Sequence, residues 1–333
     1  MIESKPPGLA FHDRLSRILL FNESGDKWVS RRRIIGGSKT NVMTLAAVKY
    51  QWAMDSYRTM YGNLFNPMQF NFSRENRDYA TMSDLERKAY GRLLSSLIFL
   101  DSIQLSNIQN MASYFTAPEI TTLFSMISLQ LNIHTDTYAQ IVVNAIPPNL
   151  REGIYEDWRM VDQLRLRNIK VNERLAMFAR EPFADNLMKN LVYTLLMYNV
   201  SQLTELAPIY ALGRHSKMIG TANAMKYIQR DITSHSSAII ELYNAIVEEN
   251  PSLDSSELKN TVHGTIREYV QMETDLLHFV CEGMIPGLSD VALARFSQSL
   301  ANKTSKALGY ELLFPGITMS PIPWFDSYSE IKR

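Results

Sequence analysis

Residues 83–110 read SDLERKAYGRLLSSLIFLDSIQLSNIQN, and this stretch decides the fold. It opens on a capping box. Ser83 is followed three residues later by Glu86, so each side chain meets exposed backbone N–H groups at a helix start. Behind the box, apolar residues recur with helical spacing and without strand alternation as far as about Asn110. One carboxylate, Asp101, stands inside the apolar run Phe99-Leu100-Asp101-Ser102-Ile103. Polar residues on otherwise apolar helix faces are where a helical protein builds chemistry into its core.

The neighbouring segments follow the same pattern. Thr116-Ala117-Pro118-Glu119 reads as a second capped start, with Pro118 early in the helix where its missing N–H costs little. That helix is expected to reach Asn144 and to stop at Pro147-Pro148, which cannot continue it. Another long segment starts near Pro182 and runs to about Leu212, with Gly213 as its stop. The next spans about Ser216 to Glu249 and ends at Asn250-Pro251. Asp254-Ser255-Ser256-Glu257 opens one more, reaching Glu282 and closed by Gly283 and Pro286-Gly287. Long helices joined by short loops bury themselves best as an antiparallel bundle, so the chain is expected to be all-α. Residues 1–40 read as an N-terminal arm, 41–310 as the helical body and 311–333 as a C-terminal arm.

Composition agrees. Gly and Pro number 27 of 333, about 8%, too few for a protein of many short strands and turns. Apolar residues make up 46%, enough for a sizeable core. The 34 basic and 34 acidic residues cancel, which gives no reason to expect nucleic acid or an anionic membrane as partner. The single cysteine, Cys281, excludes an intrachain disulfide framework and fits a reducing compartment. Met1 to Pro7 lack the apolar run of a signal peptide, and no apolar stretch reaches the roughly 20 residues that span a bilayer. A soluble, cytoplasmic protein is expected.

Two histidines sit in matching mid-helix contexts, Asn132-Ile133-His134 and Thr233-Ser234-His235. Dinuclear carboxylate bundles pair Glu-x-x-His motifs on two helices with one carboxylate from each of two others, because residues three apart share a helix face. Here the histidines stand without the glutamates: Leu131 and Ile232 occupy the positions three before them. From the residues alone the alternatives are two hydrogen-bonded core histidines or part of a metal site.

Arg33-Ile34-Ile35-Gly36-Gly37, Phe99-Leu100-Asp101-Ser102-Ile103-Gln104, Thr116-Ala117-Pro118-Glu119, Ile133-His134 with Tyr138, Arg230-Asp231, Leu300-Ala301-Asn302-Lys303 with Ala307-Leu308-Gly309, and Pro321-Ile322-Pro323-Trp324 occur in one order. Together, over roughly residues 30 to 324, the chain resembles the small, radical-generating subunit of class I ribonucleotide reductase. The resemblance implies a ferritin-like helical bundle, dimeric as its relatives are. It matches Asp101, His134 and His235 to metal ligands, and Leu131, Tyr198 and Ile232 to the three ligand glutamates. Tyr138 matches the radical tyrosine, Asp231 the aspartate that hydrogen-bonds the first histidine, and Phe65 the usually tryptophan aromatic of the transfer route. Gln202 and Leu206 match phenylalanines of the radical pocket. The tail by which the family binds its large subunit has no match after Trp324.

These departures shape the expected function. Two divalent ions bring four positive charges, and Asp101 alone would leave a net charge near +3 in a core where one unpaired buried charge costs about several kcal/mol. The expectation is a small-subunit homologue tied to deoxyribonucleotide synthesis, with no cofactor or at most a single Fe or Mn ion on Asp101, His134 and His235. It would act as a homodimer, or as a heterodimer with a small-subunit paralogue, stabilising an active partner, with the large subunit as a further candidate partner. One alternative is an active radical-generating subunit with an unusual cofactor or a modified Tyr138. Another is a repurposed scaffold. Tyr138 otherwise reads as a buried aromatic whose hydroxyl finds a partner, Glu205 as a solvated or hydrogen-bonded side chain, and Asp231 as the group that orients an imidazole. Arg31-Arg32-Arg33 reads as a solvated or dimer-facing run. Gly36-Gly37-Ser38-Lys39-Thr40 lacks the order of a phosphate loop.

Overall fold

A computed structural model of the chain describes residues 8–10, 12–23, 32–42, 47–281, 285, 287–317 and 320–331. The expected helix ends at Glu282, Gly283 and Pro286, together with Arg31 and Met1 to Pro7, lie outside the described residues.

The elements run α1 (Gln51–Gly62), α2 (Glu75–Thr81), α3 (Asp84–Ala112), α4 (Pro118–Ala145), α5 (Arg151–Met160) and α6 (Asp162–Arg180). Then come α7 (Ala184–Leu196), a π-helical segment (Met197–Gln202), α8 (Leu203–Arg214), α9 (Ile219–Glu249), α10 (Ser256–Cys281), α11 (Asp290–Ala307) and the short α12 (Trp324–Ser329). Among the described residues the only strand-like pairing is an isolated bridge between Arg14 and Phe183. No described helix is long and apolar enough to cross a membrane.

α3 starts as its sequence demands. The Glu86 N–H donates to Ser83 Oγ at 3.2 Å, and the Ser83 N–H donates back to Glu86 Oε2 at 2.8 Å. The second expected box does not form. α4 begins at Pro118 without a side-chain cap. The Thr116 hydroxyl instead donates to the Arg33 carbonyl at 2.6 Å, and Glu119 accepts from Arg32 Nη1 at 3.0 Å and the Lys49 N–H at 2.9 Å. The N-terminal arm has outcompeted the local cap. Arg32 is accordingly buried at 5% exposure and not part of a solvated run. α10 is capped by the Ser255 hydroxyl, which accepts from the Leu258 N–H, while Asp254 pairs with Lys259.

The start of α9 is held by carboxylates from α2. Glu75, buried, accepts from the Gly220 N–H and the Thr221 hydroxyl, both at 2.7 Å, and so meets the positive end of the helix dipole. A Cβ at Gly220 would lie 2.5 Å from the Asn71 carbonyl oxygen and 2.7 Å from Glu75 Oε1. Gly220→Ala should therefore cost about 1–3 kcal/mol by overpacking, read as a lowered midpoint in urea unfolding. An unchanged midpoint would mean that this helix start tolerates the shift.

Among the described residues two apolar clusters fill the bundle, and a polar layer divides them. On α4, Leu131 belongs to one cluster and Tyr138 to the other, with His134 between. On α9, Ile232 and Ala238 flank His235 in the same way. The C-terminal arm closes one end: Phe325 packs on Tyr210 and Phe296 with ring centroids 5.4 and 4.8 Å apart.

Candidate functional site

The polar layer is built from α3, α4, the π-segment and α9. Asp101, His134, Gln202, Asp231 and His235 are all buried at 0–1% exposure. The long segment expected from Pro182 to Leu212 is interrupted here. At Met197–Gln202 the helix widens into a π-turn, a local change that recurs at functional sites. That segment carries both Tyr198 and Gln202, buried in the core.

His134 is held between two carboxylates. Its Nδ1–H donates to Asp101 Oδ2 at 3.1 Å and its Nε2–H to Asp231 Oδ2 at 3.4 Å. Both ring nitrogens thus face acceptors, the arrangement of an imidazolium. Burial alone would lower its pKa, but the hydrogen bonds and charges of Asp101 and Asp231 outweigh it and lift His134 to about 9. Arg230 donates to the other oxygen of Asp231 from Nε at 3.1 Å and Nη2 at 3.0 Å. The Gln202 amide donates to the other oxygen of Asp101. Asp101 and Asp231 against His134 and Arg230 sum to zero charge, so the cluster is neutral on its own residues.

His235 behaves oppositely. Its Nε2 bonds Gln130 Oε1 at 2.9 Å, and its Nδ1 has no partner. Burial first, and the positive His134 beside it second, depress it to about 3, so this imidazole is neutral. The rings of the two histidines stack with centroids 6.0 Å apart, and Phe65 stacks on His134 at 6.5 Å.

Leu131, Tyr198 and Ile232 are each fully buried beside these groups. The Tyr138 phenol is pushed well above its ordinary value by burial and by the charge of Asp101. Its hydroxyl lies against Asp101, the partner within its reach, in a long contact that closes no hydrogen bond of normal length. Of the two readings of Glu205, the hydrogen-bonded one matches the structure and the solvated one does not. It is buried at 1% and paired with Arg167 and Ser96.

Sequence reasoning brought Asp101, His134, His235, Asp231, Tyr138 and Phe65 to one place in the fold, and the structure gathers all six. It missed Gln130, the charge-balancing contact of Arg230, and the bond from Gln202 to Asp101. Gln130 carries a signal, since it lies one turn before His134 on a face otherwise apolar. The residue that Gln202 would bond was not readable, because a π-turn shifts the facing of every side chain after it.

A bundle of long helices wrapped around carboxylate and imidazole side chains defines the ferritin-like class. Residues 42–321 match the family model for the ribonucleotide reductase small chain, and the chain belongs to that family. It is 30% identical over 317 residues to the ribonucleoside-diphosphate reductase subunit beta of Treponema pallidum, covering 95% of this chain and 90% of that one. It is 26% identical over 299 residues to the same subunit of Halalkalibacterium halodurans, covering 90% and 87%. Among solved structures, the ribonucleotide reductase R2 subunit from Clostridium botulinum superposes with a TM-score of 0.93 at 28% identity, over 96% of this chain and 100% of that one. A putative class I ribonucleotide reductase from Bacillus halodurans gives 0.87 at 25% identity, over 94% and 99%.

Proposed function

We propose that this chain serves deoxyribonucleotide synthesis as a small subunit without its own dinuclear metal and tyrosyl radical centre. It acts in the cytoplasm as a dimerising or stabilising partner of an active small subunit. The observation that carries this reading is the spent donor set. Both oxygens of Asp101 and both nitrogens of His134 are already bonded within the protein, and His235 keeps only Nδ1 open.

Two divalent cations do not fit these residues. Leu131 and Ile232 offer no oxygen, Tyr198 offers a phenol, and Asp101 is the one carboxylate of the six ligand positions. A single ion on Asp101, His134 and His235 would have to break the Asp101–His134 bond and displace Gln202. No group of three or more His, Cys, Asp or Glu among the described residues is arranged to hold a metal ion. Phe65 supports the same reading, because a phenyl ring lacks the N–H of indole and is far harder to oxidise.

One observation favours a radical-generating alternative: the Tyr138 hydroxyl is buried and lies against Asp101. Reconstitution separates the two. The chain alone with a reductase large subunit should give no deoxynucleotide product, and added to an active small subunit it should co-purify and raise that partner's activity or lifetime. Tyr138→Phe should change neither result, and its melting temperature should stay within a degree or rise, because the hydroxyl removed is buried and closes no hydrogen bond of normal length. Turnover by the chain alone, abolished in Tyr138→Phe, would sink the partner reading.

A further inference from the structure

A second buried polar cluster lies apart from the histidines, between α3, α6, α8 and α10. Arg167, Glu205 and Glu273 are 2%, 1% and 0% exposed. Arg167 Nη2 donates to Glu205 Oε1 at 3.1 Å and also to Ser96 Oγ, and Ser96 donates to the same carboxylate oxygen at 2.7 Å. Toward Glu273 the fit is open. Arg167 Nε stands 3.9 Å from Glu273 Oε1, near enough for ion pairing and too far for a hydrogen bond. Arg167 Nε and Nη1, Glu205 Oε2 and both oxygens of Glu273 are buried and close no hydrogen bond of normal length, with the Ser201 hydroxyl in longer contact with Glu273. The nearby hydroxyls of Ser201 and Tyr269 bond each other at 2.8 Å.

Buried donors facing buried acceptors across such a gap, without hydrogen bonds of normal length, are what internal water satisfies. The charges do not balance either: one guanidinium meets two carboxylates. We infer that Arg167, Glu205 and Glu273 form an internal site that binds ordered water and one shared proton, so that one of the two acids is neutral in the folded protein. Burial, only partly offset by Arg167 and by the hydroxyls of Ser96 and Ser201, pushes Glu205 up to about 8, with the charge of Glu273 adding to it, and raises Glu273 as well. The groups facing Glu205 are Ser96 on α3, Tyr138 on α4, Arg167 on α6, and Tyr269, Glu273 and Cys281 on α10. Arg167 is the cation among them.

The sign follows from the raised acid. Between the unfolded carboxylate value and about 8 the folded chain binds the extra proton, so stability is highest below that window and falls as pH rises through it. His134 falls in the same direction, so the test is a difference between variants. Melting curves from pH 5 to 9 of the full chain, Glu205→Gln and Glu273→Gln should show a shallower decline in the amide variants and a melting temperature at pH 9 about 2–5 °C above the parent. An unchanged slope, or variants less stable at pH 9, would overturn the shared proton. Should the variants fail to fold, the infrared carbonyl stretch of a buried carboxylic acid in the unaltered chain at pH 7 decides the same point, and its absence refutes it. A high-resolution crystal structure should place water within hydrogen-bond distance of Arg167 Nε and Glu273. Direct Arg167–Glu273 bonds with no solvent between would overturn the hydration.

Discussion

Replacing Arg167 by methionine should destabilise the chain by roughly 3–5 kcal/mol, the usual cost of breaking a buried ion pair from one side. The guanidinium faces two carboxylates that are 0–1% exposed, and methionine keeps much of the volume while removing the charge and every donor. Glu205 and Glu273 would then both have to take up protons or remain buried as charges. The loss should therefore be larger at pH 9 than at pH 6 in urea or thermal unfolding. Lysine should rescue only in part, because a point charge cannot repeat the guanidinium fork. A loss below about 1 kcal/mol at both pH values would mean that solvent reaches the cluster in the folded chain.

Placing glutamate at 131, 198 and 232 together, the positions that the proposed function reads as lost ligands, should have an effect of similar size and opposite use. All three positions are fully buried, so the metal-free triple variant Leu131→Glu, Tyr198→Glu, Ile232→Glu should be strongly destabilised, each unpaired carboxylate costing about several kcal/mol. Added Fe²⁺ or Mn²⁺ should then raise its melting temperature, since a ligand that binds only the folded state stabilises by about 2.7 kcal/mol at one hundred times its dissociation constant. The unaltered chain should show near-zero metal per chain by mass spectrometry and no such shift. One metal per chain in the unaltered protein would revive the site on Asp101, His134 and His235. Two would mean that the ligand positions have been matched wrongly.

What was readable in the chain divides along the range of the forces. The start of α3 at Ser83, the proline that opens α4, and the end of α9 before Pro251 depend on groups within a few residues of each other, and they lie where local rules put them. Thr116 also satisfied a local rule and failed it. Its hydroxyl found a stronger use on the arm at Arg33, 83 residues away in sequence. Arg167 sits between Leu166 and Asn168 in a stretch dense with charge, where nothing marks it as buried. Only the packing of α6 against α8 and α10 carries it inside.

By itself the sequence determined the all-α class, because helical periodicity and a shortage of turn-formers leave a chain of this length no other way to bury its apolar faces. It also placed leucine, tyrosine and isoleucine at 131, 198 and 232, the residues on which the proposed loss of ligand carboxylate rests. The tertiary structure decided how the remaining polar groups pair. Hydrogen bonds in a core depend on ångström distances between helices distant in sequence. Thus His134 lies between Asp101 and Asp231, Gln202 closes onto Asp101 through a π-turn, and Arg167 is shared between two acids. A buried charge must be met by whatever the fold brings within reach, and only the folded chain brings these groups together.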